Sequence, residues 1–302
     1  LMATMQAAGA ALLVEPLLAN LVAARLVDRL GSQAQREALL PGVMDGSSRI
    51  ALAHTEDEAR FELANVQTQA RPDAEGFDLS GVKRMVAGAP SARQLVVSAR
   101  TPAGTSLFIV PADAQGVAMS AYQCFDDSRA ADVRLSAVRV GADALLGAEG
   151  AAQAAIDEAH DFAIALLCAE AVGAIDYAVS TTLEYLKTRK QFGVTIGSFQ
   201  ALQHRMVEMF IELEQARSMS LLACAAVDAP ASAAERARIV CAAKIKVADA
   251  CRLVSQEAVQ MHGGIGMTDE LKVSHTFRRL TVIAQQFGDA DHHLERYAAL
   301  QA

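Results

Sequence analysis

Residues 185–209, YLKTRKQFGVTIGSFQALQHRMVEM, form the stretch that decides the fold of this chain. They lie in a second half that is poor in helix breakers: no glycine occurs between Gly197 and Gly263, and Pro230 is the only proline beyond Pro111. So few breakers predict long helices. Long helices joined by short loops pack as antiparallel neighbours, so the second half is predicted to be a helical bundle.

One break between long helices is predicted at Pro230. Ser232 and Glu235 follow this proline at the spacing of a capping box, in which two side chains satisfy orphan amide groups. One helix should therefore end near Val227, and the next should begin near Ala233.

From residue 47 to about residue 140 the pattern changes to short apolar or alternating runs, which are typical of β-strands. Pro72, Gly76, Gly104 and Gly116 separate these runs and mark turns. The spacing predicts a barrel or sandwich with solvent on part of its surface. The runs are RIALAH (49–54), FDLSGVKRMV (77–86), QLVVSAR (94–100), SLFIVPAD (106–113) and VRLSAVRV (133–140).

Two helices are predicted before the β-region. Apolar residues recur at helical spacing over residues 17–30, and Gly31 follows them, a residue suited to a left-handed C-cap. Ser32 and Gln35 stand at capping-box spacing for a second helix, and Pro41 marks its predicted end.

The chain opens at Leu1 inside an apolar stretch that already has the pattern of a helix, so we expect a truncated N-terminal helical segment. The stretch lacks a basic region, and Glu15 and Arg25 interrupt it, which argues against a signal peptide or a membrane anchor. The predicted division is a helical remnant over residues 1–46, a β-domain over 47–145 and a helical bundle over 146–302.

Composition narrows the classes of function. The 302 residues are 52% hydrophobic and 21% charged, as in an ordinary globular protein. A formal net charge of −8 without a basic cluster argues against nucleic-acid binding. The cysteines stand singly, without C-x-x-C spacing, which predicts reduced core residues in a cytoplasmic protein and no metal cluster. They are Cys124, Cys168, Cys224, Cys241 and Cys251.

The stretch 185–209 resembles the signature of the acyl-CoA dehydrogenase family, in which an Arg, a polar residue and Phe-Gly precede a helix that begins near Phe-Gln. The resemblance covers nearly the whole chain. It implies FAD as cofactor and an α+β multi-domain fold: an N-terminal helical segment, a central β-barrel-like domain and a C-terminal antiparallel four-helix bundle.

In this family the signature faces the FAD of a neighbouring subunit, which assigns cofactor contacts to Arg189, Gln191, Phe192, Phe199 and Gln200. A guanidinium offers a planar fork of donors to a pyrophosphate, and a phenyl ring can cover the adenine or the flavin edge. The alternative interpretation is a solvated basic helix end with a packed phenylalanine.

The second resemblance lies in residues 258–280, AVQMHGGIGMTDELKVSHTFRRL. In the family this Gln-x-x-Gly-Gly-x-Gly turn lies against the partner's FAD, which implies that Gln260, Gly263 and Gly264 contact the adenosine and pyrophosphate portion. Glycines let backbone amides approach phosphate oxygens without a Cβ in the way. A C-cap followed by a loop is the structural alternative, and Gly263 can serve both roles.

The third resemblance is residues 51–66, ALAHTEDEARFELANV, which matches the family's strand that ends in Thr-Glu beside the flavin ring. Thr55 keeps the expected hydroxyl, although it is equally typical of an ordinary strand end. The Gly-rich turn that usually follows is replaced by DEARFE (57–62), and Met85 and Ala87 stand where the family often has an aromatic residue and a Thr.

Acyl thioester dehydrogenation needs a carboxylate to remove the α-proton while hydride leaves the β-carbon for the flavin. The family usually places this base in a C-terminal stretch that reads QQFGDADHHLER here (285–296). Counting back from Arg296 assigns the role to Asp289, whereas counting forward from Arg278 gives Phe287. We prefer Asp289, for which an N-cap of the last helix is an equally good interpretation.

Other residues near this stretch have weaker assignments. Asp291 or His293 could instead meet the cofactor, although His292 and His293 are predicted to be helix-surface residues without metal. Some relatives carry the base earlier, at a position that corresponds here to Ala163, and the Arg often beside it corresponds to Ile164. That earlier position cannot supply a base.

The resemblance implies FAD-dependent α,β-dehydrogenation of an acyl-CoA, with electrons passed to an electron-transferring flavoprotein, in fatty acid or steroid degradation. It is strongest to the branch that includes small subunits of pimeloyl-CoA and steroid-CoA dehydrogenases, which implies a homo- or hetero-oligomer, a dimer or a tetramer. Two alternatives stay open: a non-catalytic partner subunit that supplies FAD half-sites, and a flavin monooxygenase on the same fold.

Overall fold

The computed structural model describes residues 1–229 and 232–300. The described chain forms two compact units, one over Val14–His160 and the other made of Leu1–Leu13 and the described part of Asp161–Ala302. Pro230, at the predicted helix break, lies outside the described residues. The predicted division into three domains stays a prediction.

The first unit is built on a mixed sheet, with strands in the order β6-β7-β3-β2-β4-β5-β8 and β1 paired with β4. All five predicted runs form strands, and β2, β6 and β8 were not predicted. The strands are β1 Ile50–Ala53, β2 Gln69–Pro72, β3 Gly76–Ala87, β4 Gln94–Thr101, β5 Gly104–Pro111, β6 Val117–Gln123, β7 Arg129–Gly141 and β8 Leu145–Leu146.

The sheet has a gap on one side of β4. Strand β1 runs parallel to the first half of β4 and ends where Ala53 pairs with Val97, while β2 pairs with β4 only at Arg100. Between these points the chain leaves the sheet at residue 54 and returns at residue 69. The backbone groups beside this gap therefore need partners other than a neighbouring strand.

The first unit also contains two helices that precede the sheet in the chain, α2 Leu17–Leu30 and α3 Gln33–Met44. The predicted capping box of Ser32 and Gln35 is present. Two details were wrong. Gly31 is extended (φ −63°, ψ 143°) and not left-handed, because the chain must turn at once into the next cap. Pro41 lies inside α3, which continues one turn further, to Met44.

The second unit is helical, as predicted. The helix that ends at Asp228 and the helix that begins at Ala233, with Ser232 as its N-cap, match the predicted break within one residue. The helices are α1 Met2–Ala11, α4 Gln153–Thr188, α5 Gln200–Asp228, α6 Ala233–His262, α7 Lys272–Gln285 and α8 Ala290–Ala299, α4 beginning in the first unit. Together with the mixed sheet they confirm the α+β class.

Helix α4 is the core of the bundle. Among the described helices it is long and apolar enough to cross a membrane, but 89% of its most apolar window is buried inside the protein, as in a core helix. Three cysteines, Cys168, Cys241 and Cys251, are buried and unpaired. Cys124 and Cys224 are only partly buried, so the predicted core placement is confirmed for three of the five cysteines.

Two buried carboxylates of α4 hold other helices. Asp161 accepts hydrogen bonds from Arg236 of α6 and Arg296 of α8, both at 3.0 Å. Glu170 accepts one from Arg279 of α7 at 2.6 Å. Since a buried carboxylate that loses its cation is strongly destabilising, these pairs specify how α6, α7 and α8 pack on α4.

Candidate functional site

A short hairpin stands between α4 and α5, formed by β9 Lys190–Gln191 and β10 Val194–Thr195. Its two turn residues, Phe192 and Gly193, both have positive φ, 52° and 81°, which is the conformation of a type I′ turn. Gly193 adopts it freely, but a bulky aromatic residue there is strained. Phe192 is nevertheless 91% exposed. Strain combined with an exposed ring indicates a functional position.

The phenyl ring of Phe192 meets that of Phe199 edge to face, with centroids 6.2 Å apart. Phe199 is the N-cap of α5 but has no capping side-chain hydrogen bond, and Gln200 is the exposed first residue of the helix. The predicted helix start at this Phe-Gln pair is confirmed. The hairpin thus presents two aromatic rings beside amide groups at a helix N-terminus, where negative charge is favoured.

Arg189 follows the last residue of α4. Its backbone amide donates to the Tyr185 carbonyl, and its own carbonyl accepts from the Ile196 amide, each at 2.9 Å. The main chain at Arg189 is therefore fixed on both sides of the hairpin. Its guanidinium is exposed and forms no ion pair within residues 1–229 and 232–300. The side-chain amide of Gln191, also exposed, donates to the Lys190 carbonyl at 2.8 Å.

The glycine turn lies at the C-terminus of α6, which ends at His262. Gly263 has φ 66° and serves as the C-cap, so the structural alternative for this residue is confirmed. A Cβ at Gly263 or Gly264 would meet no other atom within 4 Å, so the space beside both backbones is open. Gln260 and the two glycines are exposed. A ligand can approach this backbone without displacing any side chain.

A ring contact that no sequence motif indicated joins these two segments. The imidazole of His262 lies on the ring of Tyr185, with centroids 4.5 Å apart and planes 31° from parallel. Its Nδ1 bonds the Ala258 carbonyl at 2.8 Å, while its buried Nε2 has no partner among the residues that the structure describes. The contact brings the hairpin that follows Tyr185 and the turn at Gly263 to one end of the bundle.

Thr55 belongs to the other unit, two residues beyond β1. It is exposed, and its carbonyl accepts the Arg84 amide at 2.8 Å. Met85 follows on β3 with a positive φ of 49° and a side chain that is 66% exposed. Residues 83 and 86 flank an irregularity in the pairing of β3 with β7, which turns Met85 out of the sheet.

Asp289 is the N-cap of α8, and its Oδ1 accepts the His292 amide at 2.8 Å. The capping interpretation is thus confirmed, whereas the base role stays a prediction. Asp291 lies exposed in the first turn of α8. Ala163 and Ile164, at the family's alternative base position, are fully buried in α4.

The turn before Asp289 is held by a buried cation. Lys244 of α6 donates from Nζ to the carbonyls of Ile283 at 2.7 Å and Ala284 at 3.0 Å, near the C-terminus of α7. The chain then turns through two left-handed residues, Phe287 (φ 61°) and Gly288 (φ 107°). A Cβ at Gly288 would lie 2.6 Å from a histidine ring of α8, so only glycine fits there.

The predicted position of His293 on the helix surface is wrong, because the residue is fully buried. Its Nε2 bonds the Phe287 carbonyl at 2.9 Å, and its Nδ1 lies 3.5 Å from the Cys241 sulfur. The reason is amphipathicity, since α8 turns this residue toward α6. Burial, together with the nearby Lys244 ammonium, lowers the pKa of His293 from 6.5 to about 3. Its placement argues against contact with the cofactor.

We expect acid to destabilise the fold through His293. The unfolded imidazole gains a proton near pH 6.5, whereas the folded one stays neutral down to about pH 3. Below pH 6.5 the unfolded state thus binds more protons, and the free energy of unfolding falls by about 1.4 kcal/mol per pH unit. Between pH 7 and pH 5, His293→Gln should lose about 2 kcal/mol less than the wild type in urea unfolding.

His204→Gln, at an exposed position of α5, is the control and should follow the wild-type pH response. If His293→Gln and the wild type lose stability equally between the two pH values, His293 is not the group that takes up the proton.

Family models match both units. The model of the acyl-CoA dehydrogenase middle domain matches residues 51–137, and that of the acyl-CoA dehydrogenase C-terminal domain matches residues 154–299. Acyl-CoA dehydrogenase FadE12 of Mycobacterium tuberculosis is 33% identical over 295 residues, which cover 94% of this chain and 75% of that protein.

Solved structures agree. The Tcur3481-Tcur3483 steroid ACAD, a G363A variant, has a TM-score of 0.88 at 32% identity and covers 98% of this chain and 79% of its own. PigA with FAD and proline also has a TM-score of 0.88, at 26% identity, over 94% of this chain and 77% of its own. Sequence and structure agree: the chain belongs to the acyl-CoA dehydrogenase family, oxidoreductases that act on the CH–CH bond of acyl-CoA thioesters.

Proposed function

We propose that this chain binds FAD and carries out the α,β-dehydrogenation of an acyl-CoA, passing the electrons to an electron-transferring flavoprotein. The proposal rests on one observation: the contact between the rings of Tyr185 and His262 places the strained hairpin beside the glycine turn. Together they offer an exposed guanidinium, two aromatic rings and open backbone at one end of the bundle.

The residues at this end of the bundle fit a dinucleotide. Arg189 can donate a planar pair of hydrogen bonds to a pyrophosphate, and the open backbone at Gly263 and Gly264 admits phosphate oxygens. Phe192 and Phe199 can cover an aromatic ring edge. Gln191, Gln200 and Gln260 add neutral donors and acceptors, all exposed. A relative of known structure, PigA, is described with FAD, which supports the same cofactor here.

These contacts would serve the FAD of a neighbouring subunit, whereas Thr55 would serve the chain's own flavin. Phe192 is 91% exposed in the single chain, and such an apolar ring is better explained by a partner or ligand than by solvent. The relative named for two gene products, Tcur3481-Tcur3483, is a steroid ACAD. It supports an oligomer, with a second chain type as one version and a steroid or fatty acyl thioester as substrate.

Asp289 is the proposed base. Its Oδ1 holds the first turn of α8, and its Oδ2 makes no hydrogen bond within the described part of the chain, so one oxygen is free to take the substrate's α-proton. The cap fixes the carboxylate without occupying both oxygens. Bound flavin would supply the hydride acceptor for the β-carbon.

Two other functions stay open on the same scaffold. A non-catalytic partner subunit would use the bundle residues but not Asp289, and the changed loop after Thr55 favours it. A flavin monooxygenase would need oxygen access and no base.

Anaerobic mixing of the purified, FAD-loaded assembly with acyl-CoA distinguishes these functions. Dehydrogenation predicts bleaching of the flavin absorbance near 450 nm without oxygen, within the time of roughly one turnover, on the order of a second or less. Native mass and absorbance of the same sample give FAD per chain and show whether a second subunit type is needed. Bound flavin that acyl-CoA does not bleach, alone or with a partner, contradicts the proposed reaction.

A further inference from the structure

The gap in the sheet beside β4 contains a buried ion pair. Lys83 of β3 is fully buried, and its Nζ lies 2.6 Å from Oε1 of Glu56, which is 6% exposed. The same Nζ donates to the His54 carbonyl at 3.2 Å and to Ser98 Oγ at 2.9 Å. An ammonium has three protons to donate. All three protons of Lys83 thus have an acceptor.

The carboxylate of Glu56 is also fully hydrogen-bonded. Glu56 accepts from the backbone amides of Gln67 at 2.7 Å and Thr68 at 3.1 Å, and from the Thr68 hydroxyl at 2.7 Å. Gly81 makes room for this arrangement, because a Cβ there would lie 2.4 Å from Thr68 Oγ1. A fully satisfied buried network is rigid, whereas a partly satisfied one is costly.

His54 extends the network with a defined proton order. Lys83 can only donate, so Ser98 Oγ accepts from it and can donate its own proton to His54 Nδ1, 2.9 Å away. Burial and the Lys83 charge lower the pKa of His54 to about 4, which keeps the ring neutral and able to accept. Lys83 retains its proton at neutral pH, since burial lowers its pKa only to about 8.

The hydrogen bonds of the network hold the chain on both sides of Thr55. Lys83 holds the carbonyl of His54 and the carboxylate of Glu56, while the Arg84 amide holds the carbonyl of Thr55 itself. Thr55 is exposed, and its hydroxyl makes no hydrogen bond to any residue that the structure describes. The residues that flank Thr55 are therefore fixed, and its side chain is left available to a ligand.

We propose that Lys83 and Glu56 are positioning residues that hold the Thr55 segment in place for the flavin ring. They touch neither cofactor nor substrate and act only through the backbone at residues 54–56. The expected effect on catalysis rests on the proposed function. The hydrogen bonds that fix the backbone at residues 54–56 are present in the chain whatever its function. The network thus holds the chain rigidly beside the site where it leaves β1, although no neighbouring strand pairs with it there.

The double variant Lys83→Met and Glu56→Gln removes both charges together, which avoids an unpaired buried ion. Gln keeps an acceptor for the amides of Gln67 and Thr68, so the fold should persist. In the FAD-loaded protein we expect hydrogen exchange of the Arg84 amide, which donates to the Thr55 carbonyl, to quicken about tenfold or more. Flavin reduction by acyl-CoA should slow roughly ten- to a hundredfold while FAD stays bound.

Ser106→Ala is the matched control, because Ser106 is a buried serine of the same sheet whose Oγ accepts the Gly150 amide at 2.8 Å. As the cross-strand partner of Ala99, it lies on the opposite face of the sheet from Ser98. It should change neither readout. If the double variant does not fold, Ser98→Ala removes one contact of Lys83 without touching a charge and should produce the same two effects, about threefold in size.

Unchanged exchange of the Arg84 amide in the double variant, or in Ser98→Ala, overturns the inference. Faster amide exchange together with a wild-type rate of flavin reduction also overturns the inference. Fixing the backbone would then have no effect on the site. A wild type that binds no FAD contradicts the proposed function instead, and the exchange rates still decide whether Lys83 and Glu56 hold the segment.

Discussion

Replacing Arg189 with Ala is expected to release FAD from the assembly. The guanidinium is exposed on a fixed backbone and has no ion pair within the described residues, so its donors are free for a phosphate. A hydrogen bond to a charged group contributes about 2 kcal/mol. The loss corresponds to a roughly thirtyfold weaker Kd, measured by fluorescence titration of the apoprotein with FAD and by FAD content after gel filtration.

Arg252→Ala is the control for this variant. Arg252 is also an exposed arginine of the bundle, on α6, but it is paired with Asp249 at 3.5 Å and lies away from both cofactor segments. It should keep its flavin. Full FAD occupancy in purified Arg189→Ala would remove the arginine from the cofactor site and with it the interface assignment.

Replacing Asp289 with Asn is expected to stop flavin bleaching by acyl-CoA while leaving the fold and the bound FAD intact. Asn is as good an N-cap as Asp, so the hydrogen bond to the His292 amide can persist. An amide cannot accept the α-proton, however, and loss of a general base slows a reaction by on the order of 10²–10⁴-fold. Anaerobic stopped-flow absorbance measures this directly.

Two controls separate the base from the cap. Asp289→Ala removes both roles, so it should also lower the free energy of unfolding by about 1 kcal/mol. Glu295→Gln, at an exposed carboxylate of the same helix without a proposed role, should reduce its flavin at the wild-type rate. Wild-type reduction in Asp289→Asn would leave Asp289 with its capping role alone.

Local chemistry made much of the fold predictable. Ser32 with Gln35 and Ser232 with Glu235 mark helix starts because a capping side chain acts within four residues. The predictions at Gly31 and Pro41 were wrong because a residue type that permits a local conformation does not enforce it. A glycine permits a left-handed cap without requiring it, and the single amide that Pro41 lacks did not stop α3 from completing its last turn.

The candidate site was predictable only in part. The motifs pointed to Arg189 and the glycine turn, but not to the contact of Tyr185 with His262, which lie 77 positions apart in the chain. Lys83 carried a readable signal: it continues the buried alternation of Phe77 and Leu79 along β3. A lysine on the inner face of a strand predicts a buried partner, but not which carboxylate supplies it.

By itself the sequence determined the kinds of element, their order and the family, because helix breakers, caps, periodicity and short motifs act over a few residues. Only the tertiary structure decided that His293 is buried, that two distant motifs share one end of the bundle, and that Glu56 meets Lys83 in a gap of the sheet. Those outcomes depend on which surfaces pack together, and burial and pairing across the chain are set by the whole fold and not by neighbours in sequence.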